Sequence, residues 1–134
     1  MIYSVDVRIT APVKPTEVTG RVADAIRNVF PEAEVSSQPG ELRATSHSME
    51  HFSERLHEQA ILDAARGAFF GNREGNVLRF GLKKQAAFQG VINFAVGNES
   101  ELGDLQVHVT VDEPDVESFV DHIAPPTEDG RPIE

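Results

Sequence analysis

The sequence predicts an α+β domain, in which a mostly antiparallel sheet carries helices packed on one face. Segments such as Ile2–Ala11 and Leu105–Val111 alternate apolar and polar residues, which is typical of strands with one buried face. Apolar residues in Val18–Phe30 recur at helical spacing. The predicted order is β-α-β-β-α-β-β-β-α, and strands that follow one another directly favour antiparallel pairing.

The first half of the chain is divided by prolines and turn residues. Pro12 ends the first strand and Pro31 stops the first helix. The turn signal Gln38-Pro39-Gly40-Glu41 predicts a hairpin. Ser48 is the expected N-cap of a second helical region, with a bend near residues 57–58. The expected elements are strand Ile2–Ala11, a helix from Pro15-Thr16 to Phe30, strands Ala33–Ser37 and Leu42–Ser46, and a helix from Ser48 to Phe69.

The second half of the chain predicts three strands and a last helix, joined by polar connections. The expected elements are strand Val77–Leu82, a loop or short helical turn over Lys83–Gly90, strand Val91–Val96, a polar turn over Gly97–Gly103, strand Leu105–Val111 and helix Pro114–Ile123. Together these elements predict one domain over residues 1–124. Residues 125–134 begin with two prolines and are expected to form a disordered acidic tail.

Composition narrows the class of protein. The 134 residues fit one domain, and the absence of cysteine excludes disulfides and thiol chemistry. No apolar run approaches the roughly 20 residues that cross a bilayer, so we expect a cytoplasmic protein without membrane contacts. The net charge is −10, and only three of the twelve cations are lysines. Such an acidic, lysine-poor composition indicates a halophile, whose proteins stay hydrated through dense carboxylates.

The positive charge is concentrated in one part of the chain. Residues 64–98 hold five basic side chains and one acidic one, whereas residues 1–63 hold six and ten, and residues 99–134 hold one and eleven. A local excess of cations is what binding to phosphates requires. Two alternatives remain open at this point. The gap in acidic residues could arise by chance, or the basic block could pair with the acidic C-terminal third.

The basic segment also contains side chains that recognise nucleic acids in other ways. Gln85 carries an amide that can bind base edges, and Phe88 carries a ring that can stack on a base. For Phe88, the alternative of a core plug in a tight connection is favoured. The predicted nucleic-acid-binding residues are Arg66, Arg73, Arg79, Lys83, Lys84, Gln85 and Phe88.

The run Leu82-Lys83-Lys84-Gln85-Ala86-Ala87-Phe88, placed before a strand, resembles an uncharacterised archaeal family described as an RNA-binding domain. The likeness extends over about residues 2–124. Lys83 departs from the pattern, because many relatives carry an amide there. The resemblance implies a fold similar to that of ribosomal protein five of the large subunit, with RNA as the partner. Some members look fused to a P-loop kinase-like domain, which implies a kinase-like partner as well.

Other clusters of functional side chains are weaker candidates. His47, His51 and His57 lie close in sequence and would suit a small metal-dependent enzyme, but solvated surface histidines are the favoured interpretation. The carboxylates of residues 99–104 and 112–115 match the acidic background. The sequence contains neither a GxxxxGK[ST] P-loop nor a GxSxG nucleophile elbow. We therefore expect no catalytic residues, metal or cofactor.

Two hypotheses about function follow from the sequence. The first is a non-catalytic RNA-binding protein that contacts phosphates through the basic segment around residues 66–90. The second is a protein-interaction or dimerisation module, which could regulate a P-loop kinase-like partner through the acidic residues 99–134. A homodimer is an expected assembly for a small domain with exposed strands.

Overall fold

A computed structural model of the protein describes residues 3–95, 103–128 and 131–132. Five strands form one antiparallel sheet in the order β2-β3-β1-β5-β4. These strands are β1 (Ser4–Pro12), β2 (Glu34–Gln38), β3 (Glu41–Ser46), β4 (Val77–Lys83) and β5 (Asp104–Glu113). The helices are α1 (Thr19–Val29), α2 (Glu50–Glu58), α3 (Leu62–Gly71), α4 (Lys84–Phe88) and α5 (Val116–Ile123). The predicted fold class and the order of elements are confirmed.

One face of the sheet is apolar and forms the floor of the core. In β1, Val5, Val7, Ile9 and Ala11 are buried, while the intervening side chains point away from the core. The helices supply the other half of the same hydrophobic cluster. At its centre the Phe52 ring of α2 lies 5.3 Å from the Phe30 ring and 5.7 Å from the Phe80 ring, measured between centroids.

The first helix begins later than its proline predicts. It starts at Thr19, because Lys14, Thr16 and Glu17 lie in an irregular connection whose Glu17 side chain turns into the interior. The Glu17 carboxylate accepts hydrogen bonds from the Lys14 backbone N–H, at 3.0 Å, and from the Lys84 ammonium. The tertiary partner thus keeps residues 14–17 out of the helix.

The long second helix of the prediction is two helices. The helical conformation is interrupted at residues 59–61, where Ala60 adopts a left-handed φ of 57°. The Gln59 side-chain amide makes two hydrogen bonds with the Ile92 backbone. It donates to the Ile92 carbonyl at 2.8 Å and accepts from the Ile92 N–H at 2.9 Å. This contact between distant parts of the chain fixes the break near the expected bend at residues 57–58. It lets α3 turn to pack on β4.

The segment after β4 agrees with the prediction of a short helical turn, which is α4. Of the predicted strand Val91–Val96, residues 91–95 are described, and Phe94 makes a single bridge to Leu82. Two backbone hydrogen bonds support that bridge, from Lys83 N to Asn93 O and from Ala95 N to Gly81 O, each 2.8 Å. The predicted turn Gly97–Gly103 lies outside the described residues except for Gly103.

The expected tail, residues 125–134, is described in part. Thr127–Glu128 (β6) pairs antiparallel with Arg131–Pro132 (β7). The Thr127 hydroxyl donates a hydrogen bond to the Asp63 carboxylate of α3, which ties β6 to the domain. None of the helices in the described ranges combines the length and apolar composition needed to cross a membrane.

Candidate nucleic-acid interface

The basic residues predicted to bind phosphates lie in three separate places. Arg66 and Arg73 lie beside α5, whereas Arg79 and Lys83 lie on the face of the sheet that the helices of the described residues leave uncovered. Lys84 is in the interior. The basic segment therefore does not form one continuous surface, although it is continuous in sequence.

Arg66 of α3 and Arg73 of the connection after α3 both bind α5. The Arg66 guanidinium lies 2.7 Å from the Asp121 carboxylate and also donates to the Ala124 carbonyl at 2.9 Å. Arg73 pairs with Glu117, which lies one helical turn before Asp121. Both acidic partners belong to α5. For these two arginines, pairing with the acidic C-terminal third is therefore the arrangement that the structure shows.

Lys84 is placed where it cannot contact a phosphate, which corrects the prediction for this residue. Its side chain is 1% exposed, and its ammonium donates hydrogen bonds to the Pro12 carbonyl at 2.6 Å and to the Glu17 carboxylate at 2.9 Å. A buried ammonium needs such partners, because leaving water is costly for a charge. Lys83, its neighbour in sequence, is exposed at the end of β4.

Gln85 and Phe88 lie on α4, away from the uncovered face of the sheet. Gln85 is exposed, and Phe88 is half-buried against the core, as the core-plug alternative predicts. The Arg21 guanidinium of α1 lies 5.8 Å from the centre of the Phe88 ring. Asn28 of the same helix donates to the carbonyls of Ala87 and Phe88. These contacts attach α4 to α1.

The histidines of the first half do not form a metal site. The His47 Nδ1 atom lies 3.2 Å from the Val5 carbonyl oxygen, and the His57 Nδ1 atom lies 2.9 Å from the Ser53 carbonyl oxygen. Within the described ranges, no group of three histidine, aspartate or glutamate side chains is placed to hold a metal ion. Of the predicted carboxylate clusters, Glu99 and Glu101 lie outside the residues described.

Asp115 has a structural role at the start of α5. Its carboxylate accepts a 2.8 Å hydrogen bond from the Ser118 backbone N–H and another from the Ser118 hydroxyl. These bonds favour the charged form and hold the pKa of Asp115 below its usual value. The hydrogen bond from Arg73 likewise lowers the pKa of Glu117. The first residues of α5 therefore use their carboxylates for capping and pairing.

The uncovered face of the sheet brings together polar side chains from all five strands. Side chains that pair directly across antiparallel strands point to the same face, so they form rows across the sheet. Two adjacent rows cross the middle of this face, and we call them the central rows. One contains Ser36, Arg43, Thr10, Gln106 and Gly81, and the other contains Glu34, Thr45, Arg8, His108 and Arg79.

The central rows are poor in acidic residues although the chain is strongly acidic. Nine of the ten residues carry no negative charge, and the single acid, Glu34, lies on the outer strand β2. Arg8 and Arg79 both pair directly with His108 of β5, one on each side. The two arginines therefore lie on neighbouring positions of the same face, separated only by the His108 side chain.

The arginines of the central rows are accessible to a ligand. Their side chains are 74%, 63% and 50% exposed for Arg8, Arg43 and Arg79 respectively. Each contacts one acid that is outside the central rows: Asp6, Glu41 and Glu74, at 3.3, 2.9 and 3.2 Å. Exposed ion pairs of this kind contribute only about 0–1 kcal/mol. A phosphate can therefore replace or join the carboxylate at little cost.

Three residues of this face were not predicted from the sequence: Arg8, Arg43 and His108. The alternation of β1 and β5 does show that Arg8 and His108 point away from the core, because their neighbours in the strands are apolar. Alternation within a strand does not show which residues of two strands lie opposite each other. Without register, Arg8, His108 and Arg79 are isolated residues at distant positions in the sequence.

These features define a class of protein: a small α+β domain with an uncovered antiparallel sheet face that presents arginines to solvent. Residues 6–113 match the model of a family described as "RNA binding". The chain belongs to this family, and the relatives that it matches along most of its length are named UPF0201 proteins. A UPF0201 protein of Methanopyrus kandleri is 40% identical over 140 residues, covering 93% of this chain and 87% of that protein.

A solved relative has the same fold along nearly its whole length. The crystal structure of a UPF0201 protein from Methanococcus jannaschii superposes with a TM-score of 0.89 at 36% identity, covering 96% of this chain and 99% of that one. A longer relative is the UPF0200/UPF0201 protein of Archaeoglobus fulgidus, 37% identical over 131 residues. The match covers 97% of this chain but only 40% of that relative.

Proposed function

We propose that this chain is a non-catalytic RNA-binding protein whose central rows contact RNA phosphates. The observation that carries the proposal is the placement of Arg8, Arg43 and Arg79 on one exposed sheet face, in rows with a single acidic residue. Membership of a family described as RNA binding supports it. The arginines that border α5 are less exposed, at 24% for Arg66 and 33% for Arg73, than those of the central rows.

Phosphate contacts suit the chemistry of this face. Guanidinium groups bind phosphate oxygens through two parallel hydrogen bonds, and each neutralised phosphate releases condensed counterions. Thr10, Thr45 and Gln106 add neutral hydrogen-bonding groups between the arginines. Of the predicted segment 66–90, Arg79 and Lys83 belong to the proposed interface. Lys83 lies at its margin, two residues beyond Gly81 along β4.

The direct test compares two triple variants of equal charge change. The interface variant is Arg8→Gln with Arg43→Gln and Arg79→Gln, and the control is Arg21→Gln with Arg27→Gln and Arg55→Gln on helices α1 and α2. Binding of a structured RNA is measured by fluorescence anisotropy at several salt concentrations. We expect the interface variant to lose most of its affinity and the control to lose little. Equal losses in the two variants would contradict the placement of the interface, because only net charge would then matter.

A second candidate function is that of a protein-interaction module for a P-loop kinase-like protein. The observation that favours an interaction partner is the Archaeoglobus fulgidus relative, in which the matched region is 40% of a longer chain, and the kinase-like nature of the partner is what the family resemblance implies. The exposed acids of α5 would face the partner. Pull-down from a native extract tests this, using a variant that lacks residues 127–134. Size-exclusion chromatography with light scattering tests the proposed homodimer in the same preparation.

We also propose that the protein works in a halophile's cytoplasm. The support is its composition, with 22 acidic against 12 basic residues and only three lysines. Because phosphate contacts weaken as salt rises, the binding assays include high salt as well as dilute buffer. Binding that persists at high salt would fit this setting, and unfolding in dilute buffer would support it further.

A further inference from the structure

We infer that the central rows take double-helical RNA, recognised through its two backbones and its 2′-hydroxyl groups. The inference rests on the proposed RNA-binding function and names the class of RNA that this face accepts. Single-stranded RNA, duplex RNA and duplex DNA are recognised by different kinds of side chain. The side chains of the central rows are of the kind that recognises duplex RNA.

The chemistry of the central rows fits a backbone ligand. Apart from Gly81 and Glu34, their side chains are hydroxyls, an amide, an imidazole and guanidinium groups. Platforms for single strands stack successive bases on aromatic rings. In the described chain the phenylalanine and tyrosine rings lie elsewhere, for example Phe52 and Phe80 in the core and Tyr3 stacked on His122. Double-helical RNA keeps its bases stacked internally and presents phosphates and 2′-hydroxyls instead.

The spacing of the arginines also fits two backbones. Neighbouring strands lie about 4.8 Å apart, so Arg43 on β3 and Arg79 on β4 are separated by about 14 Å across three strand spacings. Arg8 on β1 lies between them. A sheet face of this breadth can contact both backbones beside the wide, shallow minor groove of A-form RNA, which displays its 2′-hydroxyls.

Small polar side chains occupy the space between the outer arginines. Thr10 pairs directly with Gln106 and Thr45 pairs directly with Arg8, so two hydroxyls and one amide lie in the middle of the face. Hydroxyl and amide groups can both donate to and accept from a 2′-hydroxyl, which is the group that distinguishes RNA from DNA. These residues are therefore the expected source of any preference for RNA over DNA duplexes.

The test uses the intact chain with three probes of matched length and composition: duplex RNA, unstructured single-stranded RNA and duplex DNA. Affinities are measured by fluorescence anisotropy in one buffer. We expect duplex RNA to bind about tenfold more tightly than the single strand, since it offers two backbones instead of one. We expect duplex DNA to bind more weakly than duplex RNA.

A variant of the neutral side chains tests the proposed contacts to the 2′-hydroxyl groups. Thr10→Val with Gln106→Leu should reduce the affinity for duplex RNA more than the affinity for duplex DNA, because only RNA has a 2′-hydroxyl contact to lose. Circular dichroism verifies that the variant folds. A preference for the single strand, or an unchanged RNA-to-DNA ratio in this variant, would overturn the inference alone. Failure of all three probes to bind would overturn the proposed function together with it.

Discussion

The Lys84 Nζ atom lies 2.9 Å from the Glu17 Oε1 atom, and the two side chains are only 1% and 7% exposed. The pair joins the connection after β1 to the start of α4, and the Pro12 carbonyl accepts a further hydrogen bond from the ammonium. Lys84, which was predicted together with Lys83 to bind phosphates, therefore lies in the interior. Its substitution should affect stability and leave the proposed RNA interface in place.

Substitution of Lys84 by methionine should destabilise the fold by about 3–5 kcal/mol, because it leaves the Glu17 carboxylate buried without its cation. Urea denaturation measures the loss. The double variant with Glu17→Leu should recover most of it, since a well-packed apolar pair avoids the cost of burying charge. If the Lys84→Met protein were as stable as the parent, the buried pair would not contribute as proposed. In buffer without urea, where the Lys84→Met protein is folded, its RNA affinity should match that of the parent.

Arg79→Gln should reduce the salt dependence of RNA binding. Each phosphate contact contributes about 0.7–0.9 to the slope of log affinity against log salt concentration, so the slope should fall by nearly one. Arg27→Gln is the matched control, because the Arg27 side chain on α1 is 51% exposed, as that of Arg79 is at 50%, and pairs with Asp24 of the same helix. Anisotropy titrations at four or more salt concentrations give both slopes. Identical slopes for the parent and Arg79→Gln would remove Arg79 from the interface.

The stability of α5 should decrease in acid. The pKa of Asp115 in the folded protein is lowered from the usual 3.8 by the hydrogen bonds from Ser118. A lowered pKa means that the stabilisation is fully present above the unfolded value and is lost as pH falls through the folded one. Asp115→Asn keeps a capping oxygen but removes the charge. We therefore expect this variant to lose less stability than the parent as the pH falls below the unfolded value of 3.8.

That comparison is made by urea denaturation at a series of pH values. Asp112→Asn is the control, because Asp112 is an exposed acid close to α5 that lies outside its cap. Its pH profile should follow that of the parent. Parallel profiles for the parent and Asp115→Asn would show that the cap does not depend on ionisation.

Ala60→Gly should stabilise the protein by about 1 kcal/mol. Ala60 has a φ of 57°, and a left-handed conformation costs a residue with a Cβ atom roughly 1–2 kcal/mol. Glycine relieves that cost but makes the unfolded chain more flexible, which offsets part of the gain. Thermal unfolding measures the effect. Ala64→Gly in α3 is the control and should destabilise, because its helical backbone gains nothing from glycine.

The fold class followed from the sequence because the signals that carry it are local. Alternation identified the buried side of β1 and β5, and helical spacing identified the stripes that cover them. The break between α2 and α3 was only approximate in the sequence, since apolar residues continue at helical spacing through it. Its position depends on Gln59, which binds the Ile92 backbone 33 residues away.

The candidate interface depended on tertiary structure. The sequence by itself determined that Arg8 and His108 point away from the core and that residues 64–98 are rich in cations. Only strand register could place Arg8, His108 and Arg79 side by side, because register is set by hydrogen bonds between strands that are distant in sequence. Burial of Lys84 likewise depends on Glu17, 67 residues earlier. Charge in the sequence thus gives the number of cations, and packing decides which of them reach the surface.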